Sequence, residues 1–212
     1  MSWGPQEVHM GERAMVCKRI YKSIHNPYKV YKYGSIRLCK MLRLVHKKYE
    51  PFIILTRSRC GSNMLLSFLN SHPNISAEGN HFQRLAGRNP QKLLSTVWGP
   101  EPFFVNAKGF KIFYYHPEDE SRPDLWEDLV NNQNICVIHL KRRSLLRTIA
   151  SRKMAERNDA WASVRSAKNI EESVTIAPQE LQEKVDQTRS WERWAETTFA
   201  SHRLLTVYYE DL

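Results

Sequence analysis

The chain has 212 residues, 42% of them hydrophobic and 25% charged, which is enough apolar material for one α/β domain with its own core, or two very small domains. Its 23 aromatics and only 18 Gly and Pro exclude disordered, collagen-like and fibrous classes, and apolar runs such as Phe52–Leu55 and Ile135–Ile138 are far short of the ~20 residues that cross a bilayer. A net charge of +10 favours anionic partners: nucleotides, sulfated or phosphorylated substrates, nucleic acid or acidic lipid.

In chain order, Arg13–Lys48 carries eleven Lys or Arg and no Asp or Glu, with Tyr21, Tyr28, Tyr31 and Tyr33 interleaved. Ile36, Cys39, Leu42 and Val45 recur at helical spacing and predict an amphipathic basic helix, either packed with a solvated basic face or lying on a membrane surface. Residues 1–50 thus read as a basic, helical N-terminal extension to an α/β domain over 51–212. After Pro51 short apolar runs alternate with segments of helical period, the pattern of βαβ units and a parallel sheet. Strands are expected at Phe52–Thr56, Gly109–Tyr114, Ile135–Leu140 and Leu204–Tyr208. Helices are expected at Ser62–Ser71, Pro123–Asn131 and Ser144–Glu156, the last with Ser144 as N-cap, and from Pro178 to about His202, with Leu181, Val185, Thr188, Trp191, Ala195, Thr198 and His202 on one stripe. Gly87–Pro102 and Asn158–Ile176 read as polar loops.

The four cysteines, Cys17, Cys39, Cys60 and Cys136, show no CxxC or Cys/His ligand spacing, which suits free thiols in a reducing compartment. Met1–Met15 has no apolar stretch before a cleavage site. Cytoplasm is the expected location, with membrane association as the variant a basic N-terminus allows.

The most informative segment is FIILTRSRCGSNMLLSFL, from Phe52 to Leu69. A buried strand runs through a turn holding Arg57, Arg59, Gly61 and Ser62 into a helix whose first N–H groups and dipole favour an anion. No Lys follows Gly61, so the turn is not a Walker A loop and an ATP/Mg²⁺ site is not expected. A second basic junction, Lys141, Arg142 and Arg143, ends the Ile135–Leu140 strand, where open α/β sheets place ligands. Cations at a helix start oppose its dipole unless an anion offsets them. Ser151 lies two turns further on, so one anion could meet both Arg143 and Ser151.

SRCGSN, SHPNISAEGNHF, KGFKIFYYHP, VIHLKRRSLLRTIASRKMA and the closing VYYEDL occur in this order between Pro51 and Leu212. Together they resemble the sulfotransferases that use 3′-phosphoadenosine 5′-phosphosulfate (PAPS), most closely the bacterial carbohydrate type related to nodulation-factor sulfotransferases. The resemblance implies a P-loop-like, three-layer α/β domain with a central parallel sheet. It further implies that Arg59, Cys60, Gly61, Ser62 and Asn63 hold the 5′-phosphosulfate and that Arg143 and Ser151 hold the 3′-phosphate, with no metal. Cys60 stands where the family usually has Ser or Thr. The acceptor would be a hydroxyl of a carbohydrate or small molecule, met by the Asn158–Ile176 loop, and nucleic acid is not an expected partner. In-line transfer needs a base for the acceptor. The family places a Glu where this chain has Asn80, so Glu78 after a two-residue shift, or His81 with a pKa near ~6.5, is the candidate, unless the chain is a weak or inactive relative. Family members generally continue past YEDL, so a C-terminally truncated domain is expected. The competing reading is a non-catalytic basic module that binds acidic lipid or nucleic acid through Arg13–Lys48.

Overall fold

In the computed structural model, which describes residues 27–157 and 173–212, the alternating apolar runs close into one parallel sheet. Its strands are β1 (Glu50–Thr56), β2 (Ile75–Glu78), β3 (Ala107–Phe113), β4 (Cys136–Lys141) and β5 (Arg203–Tyr208), in the spatial order β2-β3-β1-β4-β5. β1 is central, pairing Ile54 with Lys111 of β3 and with Ile138 of β4. β2 and β5 are the edges, bound in parallel to β3 and β4.

The helices are α1 (Pro27–Met41), α2 (Ser62–Ser71), α3 (Pro90–Val97), α4 (Pro123–Asn131), α5 (Leu145–Arg157) and α6 (Pro178–Thr198). Alternation along the strands divides the core. Ile53, Leu55, Phe110, Ile112 and Val137 face one way, packed with Leu94 and Val97 of α3, Leu125 and Leu129 of α4, and Trp191, Trp194 and Ala195 of α6. Phe52, Ile54, Ala77 and Leu140 face the other way, onto Leu65, Leu66 and Leu69 of α2. The arrangement is the three-layer α/β fold expected. Gly109 of β3 lies against Phe52, and a Cβ there would overlap both the Phe52 backbone and its ring.

The chain divides into two compact units, one of residues 1–45 with Glu101–Phe103 and one of residues 46–100 with 104–212. In the first unit α1 ends at Met41, short of the periodicity that runs to Val45, because Arg43 takes a positive φ of 56° and the Leu42 and Leu44 amides fold back onto Leu38 and Cys39 carbonyls. Within the same unit Lys40 pairs with Glu101 at 3.1 Å, and Tyr31, Leu38 and Met41 are exposed.

Three of the expected helices match in extent to within a residue or so, and α6 ends at Thr198, four residues before His202. Its stripe is the packed one, with Thr188, Ala195 and His202 buried. Ser144 caps α5 by accepting the Arg147 amide at 3.4 Å. Two elements depart from the reading. Gly87–Pro102 contains a helix, α3, whose start is made by Pro90 and by the Asn89 side chain accepting from the Lys92 amide at 2.9 Å. β2 was not expected: it is four residues long, with no apolar run. Its outer backbone is satisfied by a side chain, Asn70 donating to the Ala77 carbonyl at 2.6 Å and accepting the Ala77 amide at 3.1 Å. The Asn158–Ile176 loop lies outside the described residues up to 172.

Among the described residues no helix is long and apolar enough to cross a membrane. An apolar groove lined by Phe52, Leu69, Ile75, Cys136, Ile138 and Leu205 opens at the amino ends of the strands, away from the junctions described next.

Candidate active site

All five strands are parallel, so their carboxyl ends share one edge of the sheet, and both basic junctions open there. β1 leaves the sheet at Thr56, whose hydroxyl donates to the Leu140 carbonyl at 2.6 Å and so ties β1 to β4. The chain turns through Arg57–Gly61 and enters α2 at Ser62. This turn is conformationally demanding: Arg59 has φ 70° and Gly61 φ 85°, and α2 has no side-chain cap at its start. Its first N–H groups are therefore free of the capping oxygen that most helices carry.

Arg57 is buried and turns to the α6 face, where it donates to the Thr188 hydroxyl and lies 5.9 Å from the Trp191 ring. Burial pushes its pKa down, and among the described residues its Nε has no hydrogen-bond partner. The Ser58 amide donates to the Tyr115 hydroxyl at 3.3 Å. Arg152 lies over the same tyrosine ring at 5.5 Å, with Nη1 3.5 Å from the Ser58 hydroxyl.

Two residues assigned to opposite ends of one nucleotide meet directly: Arg59 Nε donates to Ser151 Oγ at 2.9 Å. Arg142 joins them from the end of β4, donating to the Arg59 carbonyl at 3.1 Å while its guanidinium covers the Tyr209 ring at 4.6 Å. Tyr209 in turn lies on Gly61, where a Cβ would enter its ring. Arg143 faces elsewhere. Its guanidinium makes two bonds to Asp211, at 2.7 and 2.6 Å, and lies 4.4 Å from the Tyr208 ring. Glu210 accepts the Arg143 amide at 3.0 Å, so the anion at the start of α5 is a carboxylate of this chain. The cation of the Lys141–Arg143 run that reaches the α2 turn is Arg142.

Cys60 is buried against the α2-face core, and burial raises its thiol pKa; it is a packing residue of the turn. Ser62 is buried at the helix start. Asn63 is exposed and accepts from Lys111 Nζ at 2.6 Å. Lys141 is held by Glu192 and Glu196 of α6, at 3.3 and 2.9 Å.

Glu78 ends β2, on the same edge of the sheet. Its Oε2 lies 2.7 Å from His81 Nε2, a close contact outside hydrogen-bond geometry, and its Oε1 is 3.6 Å from the buried Lys108 ammonium. Because Ala77 faces α2, Glu78 points to the opposite face of the sheet. Neither Glu78 nor His81 touches the α2 turn. His116 and His139 are buried: the Phe113 amide donates to His116 Nδ1 at 3.2 Å, and His139 Nε2 is 2.7 Å from the Tyr114 hydroxyl. Burial lowers both imidazoles to about 4, so both are neutral structural groups.

Of the residues singled out from the sequence, the structure brings Arg59 of the turn and Ser151 together. Sequence reading did not separate Arg142 from Arg143, and it gave no role to Arg152, Tyr115 or Tyr209, because strand twist and ring packing decide which side chain of a run faces inward.

The chain is similar to Nodulation protein H of Rhizobium tropici, 27% identical over an alignment of 175 positions that covers 77% of this chain and 69% of that protein. No family model and no solved structure matches it. The similarity is distant, and it falls on the nodulation type that the motifs resemble.

Proposed function

We propose that the chain is a sulfotransferase of the nodulation-protein kind, moving a sulfuryl group from PAPS to a hydroxyl of a carbohydrate or small molecule. The observation that carries this reading is the contact between Arg59 of the α2 turn and Ser151 of α5, with Arg142 bound to the same turn. The distant similarity to Nodulation protein H supports it.

The residues present fit such a nucleotide. The uncapped amides of α2 and the Arg59 guanidinium suit the phosphate next to the sulfuryl group, and Ser151 and Arg142 suit the 3′-phosphate. Arg143, bound to Asp211, would hold the 3′-phosphate only by exchanging that carboxylate for the nucleotide. The donor supplies an activated sulfuryl group. The chain's own work is to orient it, to stabilise charge building on the departing phosphate oxygen, and to accept the acceptor's proton. Glu78, with His81 beside it, is the base in this proposal, since it stands at the carboxyl edge of the sheet. An acceptor would have to bridge from it to the turn.

Titration with adenosine 3′,5′-bisphosphate tests the reading. Saturable binding is expected in the wild type. Removing one charge-assisted contact in Arg59→Ala or Ser151→Ala should weaken it by about tenfold. Arg142→Ala should weaken it more than Arg143→Ala. Absence of wild-type binding, or affinity unmoved by Arg59→Ala, overturns it.

A further inference from the structure

In the unit formed by residues 1–45 with Glu101–Phe103, α1 buries a lysine and leaves its long apolar side chains in water. Residues three, four and seven apart share one side of a helix. On one side of α1 stand Lys32, Ser35, Ile36 and Cys39, all buried or half-buried, with Lys32 only 5% exposed. The opposite side carries Tyr31, Tyr33, Arg37, Leu38 and Met41, every one of them exposed, Tyr31 at 74% and Met41 at 71%. The chain that follows extends this surface. Leu42 and Leu44 are exposed, and the Phe103 amide donates to the Leu44 carbonyl at 3.3 Å, which sets a ring that is 66% exposed beside them. Single exposed apolar residues are ordinary on a protein surface, but a contiguous group of them marks a face that binds something.

Charge says what the partner is. Glu101 is the one carboxylate among the described residues of this unit, and it is turned inward. Its side chain is 2% exposed and pairs with Lys40 at 3.1 Å; burial lowers the pKa of Lys32, and the Glu101 charge opposes that shift. The outer side therefore presents cations and no anion: Arg37 stands next to Leu38, and Arg43 lies between Leu42 and Leu44, both exposed. The sequence around them, Arg13–Lys48, has eleven Lys or Arg and no Asp or Glu. A second copy of this face would bring like charges together, and nucleic acid would take the cations while leaving the apolar side chains in water. An anionic bilayer satisfies both sets. Leucine, methionine and phenylalanine enter the acyl boundary, tyrosine suits headgroup depth, and guanidinium groups meet lipid phosphate and carboxylate. We propose that the outer side of α1, extended by Leu42, Leu44 and Phe103, is a docking surface for an anionic membrane, on which the protein lies peripherally.

Co-sedimentation of the full chain with vesicles tests this, using phosphatidylcholine alone and phosphatidylcholine with about 30% phosphatidylserine. Wild type should bind the anionic vesicles about tenfold or more tightly than the neutral ones. Leu38→Ser, Met41→Ser and Phe103→Ser together leave the charge unchanged and should weaken that binding by about tenfold or more. Arg37→Gln with Arg43→Gln should weaken it by a similar factor and flatten its dependence on salt. Wild type that does not prefer anionic vesicles overturns the proposal. So does a triple serine variant that binds as wild type does, since attachment would then be by basic charge alone. A dimer in analytical ultracentrifugation that the serine variant dissociates assigns the face to a second copy and also overturns it. The substituted positions are exposed, so melting temperatures should match wild type; if the triple variant does not fold, Phe103→Ser and Arg37→Gln, each alone, decide by the same comparison. Titration of wild type with adenosine 3′,5′-bisphosphate is a separate readout, whose failure removes the sulfotransferase reading and leaves the membrane surface standing.

Discussion

Gly61 concentrates the constraints of the site in one residue. Its φ of 85° is a left-handed conformation that side chains resist, and the Tyr209 ring occupies the space a Cβ would need. Tyr209 is also the platform for the Arg142 guanidinium, so a displaced ring would carry that cation with it. Gly61→Ala should cost about 1–3 kcal/mol in urea unfolding and weaken bisphosphate binding. Adding Tyr209→Ala should recover only part of the stability, because the backbone strain remains when the overlap is gone.

At the scale of elements, the carboxyl edge is held in place by contacts between neighbours rather than by any one helix. Thr56 fastens β1 to β4, Arg57 fastens the turn to α6 through Thr188, and Arg59 fastens it to α5 through Ser151. The shortest strand of the five-stranded sheet is β2, which brings Glu78 to this edge. It lacks a strand on its outer side, and the Asn70 amide takes that role for Ala77. Asn70→Ala leaves a buried amide and carbonyl unpaired. It should destabilise the protein by about 1–3 kcal/mol, and hydrogen exchange should show the Ala77 amide losing protection before the amides of β1.

For the whole molecule, acid stability follows from two buried imidazoles. His116 and His139 are held neutral at about 4, chiefly by burial, with Lys111 adding to the effect at His116 and Lys141 at His139. In the unfolded chain an imidazole titrates near ~6.5. Protons therefore bind the unfolded state more tightly. The stability held by these residues is complete above about pH 6.5 and is lost as pH falls toward 4, by roughly 2–3 kcal/mol for each. Urea midpoints taken between pH 7 and pH 4 should fall steadily, and His139→Gln should remove about half of that slope.

The sequence by itself determined the sheet and most of its helices, because burial imposes a period: Phe52–Thr56, Ile135–Leu140 and the Thr188–Ala195 stripe announce themselves as apolar repeats. It also located the strand-to-helix turn at Gly61, which the structure shows entering α2 without a side-chain cap. Only the tertiary structure decided which cations share that turn. Arg142 and Arg143 are adjacent in sequence and equal in charge, yet one reaches the Arg59 carbonyl and the other is taken by Asp211. Lys111 reads as a strand residue until the parallel register sets it next to α2, and β2 exists because Asn70 can stand in for a missing strand. Period and turn chemistry are local properties of the chain, whereas the partner of a charged side chain is fixed by residues far away in sequence that fold against it.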